Sequence, residues 1–78
     1  MKPGKIYLII NRITDNFICG YRDYSEAFNY INNLYKIDNG YLVKADDCDD
    51  KYTYFDVFYP EIDNWTRCKY YIEEVEIR

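Results

Sequence analysis

The chain has 78 residues, 16 of them aromatic, with 14 acidic residues against 10 basic ones and no histidine. At this length roughly 60% of the unfolded surface can be buried, so one domain with one small core is the limit, and a hydrophobic content of 49% is too high for a disordered chain. The longest apolar run, Ile6 to Ile10, is far short of the roughly 20 residues that span a bilayer, and the missing histidine removes the commonest general base, metal ligand and pH switch.

Met1 to Lys5 carries two lysines, but the five apolar residues that follow are too few for a secretory signal, so a cytoplasmic protein is expected. Lys5 to Ile13 is a β-rich run, apolar on both alternating faces over its first half, as in a central strand. Thr14-Asp15-Asn16 supplies turn chemistry, and Phe17 to Tyr21 returns as the second arm of a hairpin. Asp23 and Glu26 then have capping-box spacing. Ala27, Phe28, Ile31, Leu34 and Tyr35 recur at three- and four-residue intervals, predicting a helix with one apolar stripe and with Asn29, Asn32, Asn33 and Lys36 facing water. Asn39-Gly40 ends it, with Gly40 suited to a left-handed conformation.

Tyr41 to Ala45 reads as a third strand, running into four carboxylates within Asp46 to Asp50. Lys51 to Tyr59 reads as a fourth, with Tyr52, Tyr54, Asp56 and Phe58 alternating against Thr53, Phe55, Val57 and Tyr59. Pro60 ends it, and Glu61 to Asn64 form a loop. The last strand spans about Arg67 to Ile77 and changes phase midway; a bulge at Glu73-Glu74 would put Tyr70, Ile72, Val75 and Ile77 on one side. The expected architecture is α+β, in the order β-β-α-β-β-β, an antiparallel sheet with one helix packed on one face.

Catalytic and metal chemistry find little footing. Cys19, Cys48 and Cys68 suit neither a disulfide framework nor a zinc site, so reduced thiols are expected, with a Cys48–Cys68 bridge as the alternative. Asn64-Trp65-Thr66 matches a glycosylation sequon, but without a secretory signal it reads as loop sequence. The acidic run lacks the glycine and bidentate glutamate of a calcium loop, and Lys51 opposes a cation. Asp56 lies among aromatics, where burial would raise its pKa, but it has no nucleophile or metal cluster beside it and a solvent-facing position is favoured. No enzyme, no cofactor and no metal are therefore expected.

Strand-borne Tyr52, Tyr54 and Phe55 have the flavour of a base-stacking platform. Yet residues 46–64 hold seven acids and one base, a local charge of −6 that would repel phosphates, so direct nucleic-acid binding is not expected. Residues 1–40, by contrast, sum to +1. Such lopsidedness fits an acidic surface that a basic protein groove would attract, with tyrosines adding flat contact area. The expected partner-binding residues are Asp46, Asp47, Asp49, Asp50, Tyr52, Tyr54, Asp56, Tyr59, Glu61, Asp63 and Trp65. An ordinary solvated acidic face is the competing reading. Residues encoded by A/T-rich codons (Ile, Asn, Lys, Tyr, Phe) number 38 against 11 for the G/C-rich group (Ala, Gly, Pro, Arg), so an AT-rich genome would supply many tyrosines without selection for function.

Small size, this composition, the hairpin-then-helix opening from Asp15 to Ala27 and the acidic, Tyr-rich second half together resemble small phage-encoded proteins. Anti-CRISPR and other anti-defence inhibitors are among these, several of them acidic mimics of nucleic acid. The resemblance implies a stoichiometric inhibitor in a bacterial host cell, with the basic surface of a nucleic-acid-binding protein, such as a CRISPR nuclease, as partner and no membrane involved. The second reading is a small structural or regulatory protein that self-associates through an exposed sheet edge or its Tyr-rich face.

Overall fold

The fold is given by a computed structural model that describes residues 4–77. Its elements are strand β1 (Gly4–Asn11), β2 (Phe17–Tyr21), helix α1 (Tyr24–Lys36), and strands β3 (Tyr41–Lys44), β4 (Tyr52–Thr53), β5 (Phe55–Tyr59), β6 (Asn64–Arg67) and β7 (Tyr70–Ile77). All pairing is antiparallel, in two sheets of order β2-β1-β7-β4 (sheet 1) and β3-β5-β6 (sheet 2). The fold is therefore α+β with a helix packed on sheet, as the periodicities predict.

Local chemistry explains the termini of these elements. The Asn11 side-chain oxygen accepts from the backbone N–H groups of Ile13 (2.9 Å) and Thr14 (3.2 Å), and Asp15 takes the left-handed position (φ 59°), turning β1 into β2. Asp23 caps α1 by accepting from the Ser25 N–H at 3.0 Å. The reciprocal bond expected from Glu26 is not formed among the described residues. At the far end Asn39, not Gly40, adopts the left-handed conformation (φ 59°). Gly40 is required for a different reason: it is buried, and a Cβ there would lie 2.8 Å from Val57 Cγ1.

Along α1 the fully buried positions are Ala27, Ile31 and Tyr35, each one four-residue step from the last. They meet Ile9 and Ile72 of sheet 1, Phe55 and Val57 of sheet 2, and Cys68, forming one core. Burying each large aliphatic or aromatic side chain here contributes about 1.5–3 kcal/mol. Phe28 packs at the margin, while Leu34, expected on the stripe, lies at its edge and is exposed.

The two strands expected at Lys51–Tyr59 and Arg67–Ile77 are each interrupted, which is why there are two sheets and not one. Between the pairs Asp56↔Arg67 and Thr53↔Ile72, one arm spends two residues (Tyr54, Phe55) and the other four (Cys68 to Tyr71). That mismatch breaks the ladder. Several backbone groups released at the joint find other partners. Tyr54 N–H donates to Cys48 Sγ (3.2 Å), and Tyr54 C=O accepts from Ala45 N–H (2.9 Å). Cys68 N–H donates to Phe55 C=O (2.9 Å), Lys69 N–H to the Tyr35 hydroxyl (3.1 Å), and Arg12 N–H to Lys69 C=O (2.7 Å). Cys48 and Cys68 thus flank opposite edges of the Tyr54–Phe55 segment, and both are free thiols, as is Cys19.

The loop expected at Glu61–Asn64 lies one residue earlier: Pro60 to Asp63 turn, and β6 already begins at Asn64, ahead of the strand start expected at about Arg67. No bulge forms at Glu73-Glu74, because β1 and β7 pair without a break from Gly4↔Ile77 to Asn11↔Tyr70. The irregularity lies instead between Ile9 and Ile10 in the pairing with β2. The phase change of β7 is therefore real. Ile72 enters the core beside Ile9, while Val75 and Ile77 stay on the opposite, outer face opposite Ile6 and Gly4. The molecule measures 49 × 22 × 21 Å along its principal axes.

Candidate protein-binding face

The alternation in β4 and β5 runs unbroken through the joint. Phe55, Val57 and Tyr59 turn toward the core, and Tyr52, Tyr54, Asp56 and Phe58 turn outward. Antiparallel register then decides what stands beside them. Phe58 is flanked by Tyr41 on β3 and Trp65 on β6, giving one aromatic row across sheet 2. Asp56 is flanked by Val43 and Arg67, giving a second row beside it.

Both rows have definite geometry. The Phe58 and Trp65 rings pack at 5.0 Å between centroids, with planes at 41°. Trp65 is still 55% exposed and Tyr41 62% exposed, so the row is held in place yet largely wet. Arg67 Nε meets Asp56 Oδ1 at 3.0 Å, and its Nη1 reaches both carboxylate oxygens of Asp47 at 3.1 Å. The hydrogen bonds it donates to Asp47, helped by the Asp56 charge, raise the guanidinium's already high pKa. The same guanidinium lies 5.8 Å from the Tyr54 ring centre. A depression of about 320 Å³ opens between the rows, lined by Val43, Lys44, Ala45, Asp46, Asp56 and Trp65.

The expected acidic surface is divided by this arrangement. Asp47 and Asp56 share Arg67, so those three groups carry −1 between them. Asp49 organises its own turn: one carboxylate oxygen accepts from Lys51 N–H (2.8 Å) and Tyr52 N–H (2.7 Å). These bonds favour the ionised form and hold its pKa below the usual carboxylate range. Asp46 and Asp50 are exposed and have no ion-pair partner among the described residues. Glu61 and Asp63 sit in the β5–β6 turn at the far end of sheet 2, roughly 15 Å away at about 3.3 Å per residue of β5. Glu61 accepts from Asn39 there (3.3 Å), and Asp63 takes a left-handed turn position (φ 48°). Tyr59 faces inward against the core, and burial pushes its phenol pKa up.

Tyr52 and Tyr54 join a residue not expected at the site, Tyr71. The three rings lie 5.5–6.4 Å apart over the joint, on the outer side. Arg67 links this cluster to the sheet 2 rows. Tyr41, Val43, Phe58 and Arg67 were likewise not expected: their membership depends on cross-strand register, which a single strand's pattern does not contain. The available signal was the alternation that put Phe58 on the Asp56 side.

Nothing in this arrangement gathers three or more His, Cys, Asp or Glu side chains to hold a metal ion among the described residues. No described helix is long and apolar enough to cross a membrane. Compared with protein-family models, curated proteins and solved structures, the chain has no match, so the face is interpreted from its own geometry.

Proposed function

We propose that this chain is a protein-binding module that acts without catalysis, docking the outer face of sheet 2 onto the basic surface of a nucleic-acid-handling host protein and blocking it stoichiometrically. The exposed row Tyr41–Phe58–Trp65 carries the reading. A tryptophan backed by a second ring and left half in water is the kind of anchor that dominates protein interfaces. The depression beside it offers room for a partner side chain, and Asp46 on its rim, without an ion-pair partner among the described residues, can meet a cationic one beside Lys44. The acidic turn serves encounter more than final contact, because Asp47 and Asp49 are already engaged within the chain.

The test is affinity capture of the tagged protein from a bacterial lysate, run beside Trp65→Ala. A nucleic-acid-binding protein retained by the natural chain and lost from the variant supports the proposal, with the alanine change weakening binding by about 2 kcal/mol or more, roughly 30-fold. Capture that survives Trp65→Ala unchanged, or that recovers only proteins without a basic surface, would overturn it.

A further inference from the structure

We infer that the depression beside Trp65 is an arginine site, taking one guanidinium of the partner in preference to a lysine ammonium. This rests on the docking face proposed above and names the group that enters it. Phe58 packs against the Trp65 indole at 5.0 Å, and 55% of the tryptophan stays exposed, so open aromatic surface borders the depression. At about 320 Å³ the depression is at the small end of ligand-sized pockets, with room for a single side chain.

Net charge alone does not select the occupant. Of the ionised groups in the lining, Asp56 is engaged by Arg67, and Asp46 shares the depression with Lys44. Asp46 has no ion-pair partner among the described residues, so its carboxylate is open to a donor, yet Lys44 opposes any cation that approaches. An ammonium is strongly hydrated and acts as a point charge, so it gains little from so nearly neutral a lining. A guanidinium is planar and more weakly hydrated. It stacks on an aromatic face while its forked N–H groups reach a carboxylate, and Trp65 with Asp46 supplies both.

The chain already holds one guanidinium by these means. Arg67 donates to the carboxylates of Asp47 and Asp56 and lies 5.8 Å from the centre of the Tyr54 ring. The depression repeats that pairing of ring and carboxylate with its cation left to come from outside.

Nuclear magnetic resonance titration of the isotope-labelled full chain tests this. The probes are three capped peptides that alternate glycine with arginine, lysine or citrulline, the last an uncharged planar analogue of arginine. The backbone amides of Val43, Lys44 and Asp46 report binding in every variant, and the Trp65 indole N–H in the natural chain. Trp65, Asp46 and Lys44 are all exposed, so replacing them leaves the core untouched. The arginine peptide is expected to bind at least about fivefold tighter than the lysine peptide, with citrulline weakest. Trp65→Leu should cut that preference below about twofold, Asp46→Asn should weaken the arginine peptide at least about threefold, and Lys44→Gln should strengthen both cationic peptides. Equal affinity for arginine and lysine, citrulline matching arginine, or an arginine preference untouched by Trp65→Leu overturns the proposal. The titrations involve no partner protein, so they separate from the lysate capture. Trp65-dependent capture without an arginine preference removes the arginine site and leaves the docking face standing.

Discussion

Replacing Tyr35 with Phe removes one oxygen from the joint between the sheets and nothing else. The ring is 8% exposed and stays packed among Ile31, Val57 and Cys68, so no cavity of consequence forms. What is lost is the acceptor for Lys69 N–H, 3.1 Å away in the interrupted stretch of the return arm. A part-buried amide without a partner costs about 1–3 kcal/mol. For a domain of this size each kcal/mol lowers Tm by roughly 4–8 °C, so Tyr35→Phe should melt about 4–24 °C below the natural chain. Urea unfolding followed by circular dichroism should show a lower midpoint with unchanged slope. Hydrogen exchange should accelerate at Lys69 before it does in β1.

The same substitution changes the response to alkali. Burial holds the Tyr35 phenol well above its ordinary value of about 10. A folded-state pKa above the unfolded one stabilises the fold fully below the unfolded pKa, and that contribution is lost as pH rises toward the folded one. The natural chain should therefore lose stability above about pH 10, and Tyr35→Phe should lose less over that range, with burial of the Cys68 thiol leaving a residual slope of the same sign. Equal stability of variant and natural chain at neutral pH, or rapid exchange of the Lys69 amide in the natural chain, would refute the claim that this hydroxyl closes the joint.

Gly40→Ala drives a methyl to within 2.8 Å of Val57 Cγ1 and should cost about 1–3 kcal/mol in thermal unfolding, whereas Asn39→Gly, at the left-handed position, should leave Tm unchanged or slightly raised. Asp49 is held below the usual carboxylate range, so its stabilisation is present above the ordinary carboxylate pKa and fades as pH falls through the lower folded value; acid titration of Asp49→Ala should show a shallower loss of stability. Arg67→Met frees Asp47 and Asp56 and makes the sheet 2 face more negative. Association with a basic partner should then speed up at low salt, and Asp46→Asn with Asp50→Asn should slow it; rates insensitive to both would remove steering from the mechanism.

Much of the fold follows from local signals. The α1 stripe, the Asp23 cap, the hairpin turn and the alternation of β4–β5 each depend on neighbours within a few residues, and each lies where its pattern puts it. The features that were not legible depend on pairs far apart in the chain. Arg67 offsets one of the two charges of Asp47 and Asp56 from 20 and 11 positions away, so a charge count ending at residue 64 overstates the acidity of the face. Trp65 and Phe58 were within reach of the same windowed reading, but their meeting with Tyr41 is a matter of register. Tyr59 shows the converse: it shares a segment with Tyr52 and Tyr54 and, by strand parity alone, points the other way.

The phase change of β7 shows how a correct local observation can receive the wrong explanation. Ile72 and Val75 cannot share one face of a regular strand, and a bulge at Glu73-Glu74 would have reconciled them with a single core. An unbroken eight-residue ladder with β1 leaves no place for that bulge. The conflict is resolved by two faces of sheet 1, each with apolar residues of its own. Ile72 then serves the helix side beside Ile9, and Val75 serves the far side beside Ile6. β1 is apolar on the same two faces, and Gly20, which keeps clear of Leu8, lies on the outer one. A bulge would have explained β7 alone, whereas two apolar faces explain β7 and the double-sided pattern of β1 together.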